Sequence, residues 1–284
     1  MTNYLRDKGF AYEYIDSSFR LLLKWKYFTL RKFLAVERSH RKLRPKNGLR
    51  KTKSLRNQMS GPAVIIGNGP SSNELLKIDL QQFKMRHTLF CMNFFYSSEL
   101  AKSLTPDYLF ICDSPFWRKD CSEYRDLVNE KQRLGNFMIV QPDNFEDFGS
   151  KTLTLKIRKN PLTSFSRNIS ITSSFAGMPN YTAFYMIATA LYLGYSPIYI
   201  IGHDFNHYKF MHLDSNGVKL LPHHFYTENP APWAGRNTVS RILNANLQQI
   251  NALKLFADKE VFTVGTEPPH DILPFVPLDK FVNF

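Results

Sequence analysis

Much that would carry a chain across a membrane or staple it together is missing here. No run of eighteen or more apolar residues occurs in the 284 residues, which argues against a spanning helix. The N-terminus carries Arg6, Asp7 and Lys8 where a signal peptide needs an apolar stretch, so Sec export is not expected and a cytoplasmic location is. Cysteine is scarce. Cys91, Cys112 and Cys121 form neither an even set nor a C-x-x-C pair, which argues against a disulfide framework. The first two lie inside apolar runs and read as buried free thiols. There is no internal repeat and no low-complexity tract. The G-K-[ST] of a Walker loop is absent, and so is the G-x-G-x-x-G fingerprint.

Acidic residues are sparse at one end only. Residues 1–60 hold sixteen Lys/Arg against four Asp/Glu, a net +12 of the chain's +13. The excess charge therefore belongs to an appendage rather than to the body. From Ser18 to Arg44 the appendage places Phe19, Leu22, Leu23, Leu30, Phe33 and Leu34 on one helical face, beside a stripe of Arg20, Lys24, Arg31, Arg38 and Lys42. That pattern predicts a basic amphipathic helix. One reading is a solvated helix docked on the body. The other is a helix held at an anionic membrane surface with Trp25, Tyr27 and Phe28 near the interface. No recognisable nucleic-acid module accompanies the charge, so nucleic acid is not an expected partner. Residues 46–56 are polar and basic and read as a linker, with the second domain spanning 61–284.

With 43% hydrophobic and 14% aromatic residues, that second part can bury a sizeable core. It is organised around Ala63 to Ser71, A-V-I-I-G-N-G-P-S. Four apolar residues read as a buried strand entering a tight turn. Gly67 and Gly69 are expected to take positive φ and let backbone approach a ligand, and Pro70 suits the first turn of a helix. N–H groups left free there would attract a phosphate, which makes the turn a candidate nucleotide site. A plain strand-to-helix turn is the alternative.

Further strands are expected at Thr88–Met92, ending on Asn93, at Tyr108–Cys112, ending on Asp113, and at Phe137–Val140. A helix capped by Ser71 or Ser72 should run to about Phe83. Thr152 to Ile157 alternates like a strand within a stretch, 141–175, otherwise expected to be irregular. A helix from about Tyr181 to Leu193, stopped by Gly194, offers Thr182 in its first turn. The run Pro197–Ile201 ends on Gly202, His203 and Asp204, and a helix over about 238–257 precedes a short strand at Val261–Val264. Polar residues thus recur at strand ends, where open parallel α/β sheets bind ligands.

In this order, G-N-G-P-S, C-x-N-x-F-Y at Cys91–Tyr96, Y-M-x-A-x-A-L-x-L-G-Y ending at Tyr195 and I-Y-I-I-G-H-D-F, the chain resembles the bacterial family 42 sialyltransferases. With D-Y-L-F-I-C-D-S-P-F-W it also resembles the motility-accessory-factor and MptE-like proteins of surface-polysaccharide loci. The resemblance covers roughly Ala63 to Thr266. It implies a Rossmann-like, mostly parallel sheet flanked by helices and an inverting glycosyltransferase that uses a nucleotide-activated sugar, CMP-linked in the sialyltransferases, without a metal or other cofactor. As partners it implies a nucleotide-sugar donor and a glycan or glycolipid acceptor, with a homo-oligomer left open beside a monomer.

Carried over, it places Gly67, Asn68, Gly69, Ser71 and Asn93 at the nucleotide, with Asp113, Thr182 and Asp204 beside them. The catalytic histidine falls at His224 or its neighbour His223. Two departures stand out: the family's T-S-G is Tyr181, Thr182 and Ala183 here, and Asn206 replaces a tyrosine that Tyr208 could supply. The chemistry itself asks for a base toward the acceptor hydroxyl, which histidine suits, and for donors or cations toward the departing phosphate. Tyr208, Lys209 and Arg236 lie in the right region for the second task. A metal site from His203, Asp204, His207 and His212 is an alternative constellation. An MptE-like pyrophosphokinase using ATP and magnesium, and a non-catalytic polysaccharide-assembly protein, are the alternative functions.

Overall fold

A computed structural model describes residues 54–112, 121–142, 151–155, 181–204, 246–247 and 249–282, together with the backbone of 211–214 and 217–220. The basic appendage lies outside these residues. Eight strands form one sheet: β1 (Ala63–Ile66), β2 (Thr88–Met92), β3 (Tyr108–Phe110), β4 (Met138–Pro142), β5 (Thr152–Leu155), β6 (Ile198–Ile201), β9 (Val261–Gly265) and β10 (Phe275–Pro277). Their order is β10-β9-β6-β1-β2-β3-β4-β5, and every neighbouring pair is parallel. Between β6 and β9 in the chain, β7 (Met211–Asp214) and β8 (Gly217–Leu220) make a separate antiparallel pair.

A parallel sheet covered on both faces calls for strands that are apolar throughout, and β1 is buried at all four positions. Its residues alternate between two cores. Ala63 and Ile65 join the cluster with Phe90, Phe110, Ile200 and the helix over Thr182–Leu193, whereas Val64 and Ile66 join Leu75, Leu89, Leu109, Val128 and Phe281 on the other face. The α3 helix (Thr182–Leu193) buries ten of its twelve residues, as expected of a helix that is apolar all round and enclosed on every side. Gly194, at φ +107, ends it.

Just ahead of the expected domain start, Leu55 and Met59 pack against the α3 core. The Asn57 and Met59 N–H groups donate to Tyr192 O (3.0 Å) and Leu193 O (2.9 Å), filling carbonyls that α3 leaves open at its C-terminus.

The chain departs from the sequence expectation in instructive places. The single helix expected from Ser71 to Phe83 is two pieces, a 3-10 helix over Pro70–Lys77 and α1 (Leu80–Arg86). The break is made by Asp79, whose carboxylate accepts from the Gln81 and Gln82 N–H groups and starts a new helix. A helix not anticipated, α2 (Ser122–Gly135), buries only Val128 and Gln132 and so shows no broad apolar stripe. Cys91 is buried, but Cys112 is only half-buried; none of the three cysteines forms a disulfide. The β10 strand and a last short helix, α4 (Leu278–Phe281), complete the described body. Only its end, residues 249–256, is described continuously of the helix expected over 238–257, and it finishes in a 3-10 turn at Lys254–Phe256. Among the described residues no helix is long and apolar enough to cross a membrane.

Candidate functional site at the carboxyl edge of the sheet

From β1 the chain builds outward through β2, β3, β4 and β5, then returns to the other side of β1 to place β6 and β9. The strand order therefore reverses between β1 and β6, and ligands of doubly wound sheets bind outside the carboxyl ends at such a reversal. The register aligns Ile66 with both Cys91 and Ile201. The turns after β1, β2 and β6 consequently leave the sheet at one level, carrying Asn68, Asn93 and Gly202–Asp204.

The turns after β1 and β6 are in direct contact. Gly67 N–H donates to Ile201 O at 2.7 Å and Gly69 N–H to Gly202 O at 2.8 Å, while the Ser71 hydroxyl donates to the Asp204 carboxylate in a short hydrogen bond. The glycines are required by this approach. A Cβ on Gly67 would lie 2.2 Å from Gly202 O, and one on Gly69 2.5 Å from an Asp204 carboxylate oxygen.

Two expectations are corrected here. Neither Gly67 nor Gly69 is among the residues with positive φ; Gly202 is, at +76. Moreover, of the turn's N–H groups, expected to be left free for a phosphate where the loop meets the helix, those of Gly67 and Gly69 are already donated to the β6 turn. Sequence reasoning found the glycines but assigned their close approach to a ligand instead of to a neighbouring strand end.

Asn68, between those glycines, is 6% exposed, and its carboxamide oxygen is buried without a hydrogen-bond partner among the described residues. Such a group costs about 1–3 kcal/mol if it stays unmet. Asn93 is also buried, in the left-handed conformation at φ 43, with its N–H donated to Phe110 O at 2.7 Å. Tyr124 Oη reinforces that turn by donating to Asn93 O and accepting from Tyr96 N–H, each at 3.0 Å. Sequence reasoning missed Tyr124, because it placed no helix there.

The N-terminus of α3 reaches the same edge. Tyr181 meets the buried His203 ring edge-on, with centroids 6.0 Å apart, and Thr182 next to it is buried. Gly67, Asn68, Gly69, Ser71, Asn93, Thr182 and Asp204 thus gather along one edge of the sheet. Asp113, Tyr208, His223, His224 and Arg236 lie outside the described residues, as does Lys209. Of the alternative metal constellation, His207 and the side chain of His212 do too. Among the described residues no group of three or more His, Cys, Asp or Glu is placed to hold a metal ion. A cleft of about 360 Å³ opens instead at the amino edge, between Thr88, Tyr108, Met138 and Lys151. It contains none of the expected site residues.

The architecture defines the protein as a doubly wound, parallel α/β protein with a polar carboxyl edge at its strand-order reversal. No protein-family model matches the sequence, and no curated protein does. Among solved structures the fold aligns with a MAf glycosyltransferase from Magnetospirillum magneticum AMB-1, at 16% identity and a TM-score of 0.45. The alignment covers 80% of this chain but 35% of that one, so the chain spans about a third of that protein's length. An overlap this loose establishes neither activity nor substrate.

Proposed function

We propose that the protein is an inverting glycosyltransferase whose nucleotide-sugar donor sits at the carboxyl edge of the sheet, at the turn after β1. The observation that carries this reading is the Asn68 carboxamide, buried at the strand-order reversal with its oxygen unmet by any described group. An acceptor atom so placed suits a ligand hydroxyl or amine. Asn93 and Thr182, buried at the neighbouring turn and helix start, supply further polar groups of the right kind. The ordered motifs resembling the family 42 sialyltransferases favour a CMP-activated acidic sugar, such as sialic acid or a related ulosonic acid, and a glycan or glycolipid of lipopolysaccharide or capsule as acceptor. His224, with His223 as its alternative, would take the acceptor proton. Tyr208, Lys209 and Arg236 would offset charge on the departing phosphate, so no metal is needed. The basic extension of residues 1–60 would hold the enzyme at the inner face of the cytoplasmic membrane.

A thermal-shift screen of CMP, UDP, GDP and ATP, each with and without magnesium, tests the proposal. A ligand at a hundredfold excess over its Kd stabilises by about 2.7 kcal/mol, a shift of several degrees. Stabilisation by CMP that ignores magnesium is expected. Stabilisation by ATP only with magnesium would favour the pyrophosphokinase, and no response to any nucleotide would favour a non-catalytic assembly role.

A further inference from the structure

The turn that carries Asn68 is pinned on both sides, and always to the same partner. Gly67 and Gly69 donate their N–H groups to the β6 turn, and two residues further on Ser71 donates to Asp204. The Asp204 carboxylate fits because Gly69 has no side chain: its second oxygen occupies the space a Cβ would need. Ser71 and Asp204 are therefore engaged with each other, whereas Asn68 holds a buried acceptor that no described group meets. A flexible turn would relieve that cost by rotating the amide into solvent.

From this we infer that Asp204 is a positioning residue: through Ser71 it latches the β1 turn to the β6 turn, and the latch holds Asn68 in its ligand-ready, buried orientation. Neither Ser71 nor Asp204 touches the nucleotide in this account, which departs from the role the sequence resemblance implies for them. The inference rests on the proposed nucleotide site, but the latch itself is a property of the free protein and is measurable there.

The first arm of the test is hydrogen exchange of the Gly67 and Gly69 amides in the full-length protein without ligand. Ser71→Ala and Asp204→Ala should each accelerate that exchange about tenfold or more, the scale of one lost charge-assisted hydrogen bond. Asp204→Asn, which keeps an acceptor for the Ser71 hydroxyl, should restore most of the protection. The second arm is calorimetric titration with CMP. Each alanine variant should bind about tenfold more weakly, the double variant no more weakly than either single one, and Asp204→Asn within about threefold of the parent. Unchanged exchange in the alanine variants would overturn the latch. So would losses of affinity that multiply in the double variant, since each residue would then contact the ligand separately, or an Asp204→Asn as weak as Asp204→Ala. If the parent protein binds no CMP, UDP, GDP or ATP, the nucleotide site fails while exchange still decides the latch. Ser71→Ala, the mildest change, keeps the test open if Asp204→Ala does not fold.

Discussion

At the scale of single residues, the protein separates groups that hold the fold from groups left to act on something else. Two half-buried imidazoles belong to the first kind. His87 donates from Nδ1 to Phe83 O at 2.9 Å and lies against the rings of Phe83 and Phe281, while His270 Nδ1 accepts from Ile272 N–H at 3.3 Å. Burial lowers both pKa values below the ordinary 6.5, with Arg86 adding to the effect at His87. Between the folded and unfolded values the unfolded chain then binds more protons. The stability these histidines lend is therefore present above about pH 6.5 and is lost as pH falls through their folded pKa. Urea unfolding between pH 7.5 and 5 should show stability declining on the acid side, with a shallower decline in His87→Phe. A pH-independent parent would contradict the assignment.

Histidine also carries the proposed chemistry. Loss of a general base costs about 10² to 10⁴-fold in rate, so His224→Ala should lose turnover by that amount while still binding CMP. Activity of the parent should fall as the imidazole protonates. If His223→Ala is dead and His224→Ala active, the base is the neighbour. If both turn over normally, the proposed mechanism is wrong.

At the scale of elements, the contact between the β1 and β6 turns predicts which glycines are irreplaceable. Gly67→Ala would drive a methyl into Gly202 O, and Gly202→Ala would add a Cβ at φ +76 only 2.6 Å from Gly67 O. Each should cost about 2 kcal/mol or more, roughly 4–8 °C in Tm for a body of this size. Gly265→Ala meets nothing nearer than 3.6 Å and has no unusual φ, so its melting should stay close to the parent's. Equal melting of all three variants would mean that the two turns are not in contact.

These same elements mark what could be read in advance. Strands buried on both faces announce themselves as apolar runs, so β1, β2 and β6 were legible with their polar ends. The α2 helix was not, because its apolar face is narrow: Tyr124, Leu127 and Val128 share it, but only Val128 and Gln132 are buried. The split after β1 depends on one side chain, Asp79, recapping the chain. The glycines of the central turn were legible as necessary, but their partner was not: G-N-G reads the same whether a phosphate or the β6 turn fills the space.

At the scale of the whole molecule, a nearly neutral body follows a strongly basic extension, with +12 of the net +13 in residues 1–60. Each basic residue near an anionic surface contributes about 1 kcal/mol, screened by salt. The full chain should therefore float with anionic liposomes at low salt, and deletion of residues 1–46, which spares the Leu55 to Met59 segment packed on α3, should abolish flotation. Retained binding by the truncated protein, or no binding by the full one, would remove the membrane role.

The central claim remains the nucleotide at the carboxyl edge, and calorimetric titration of CMP into the parent and into Asn68→Ala addresses it most directly. The parent should bind. The variant should bind more weakly by about 0.5–1.5 kcal/mol, and by more if a buried ligand group is left unpaired, with its circular dichroism and Tm unchanged or raised. Equal affinity in a folded Asn68→Ala would contradict the account.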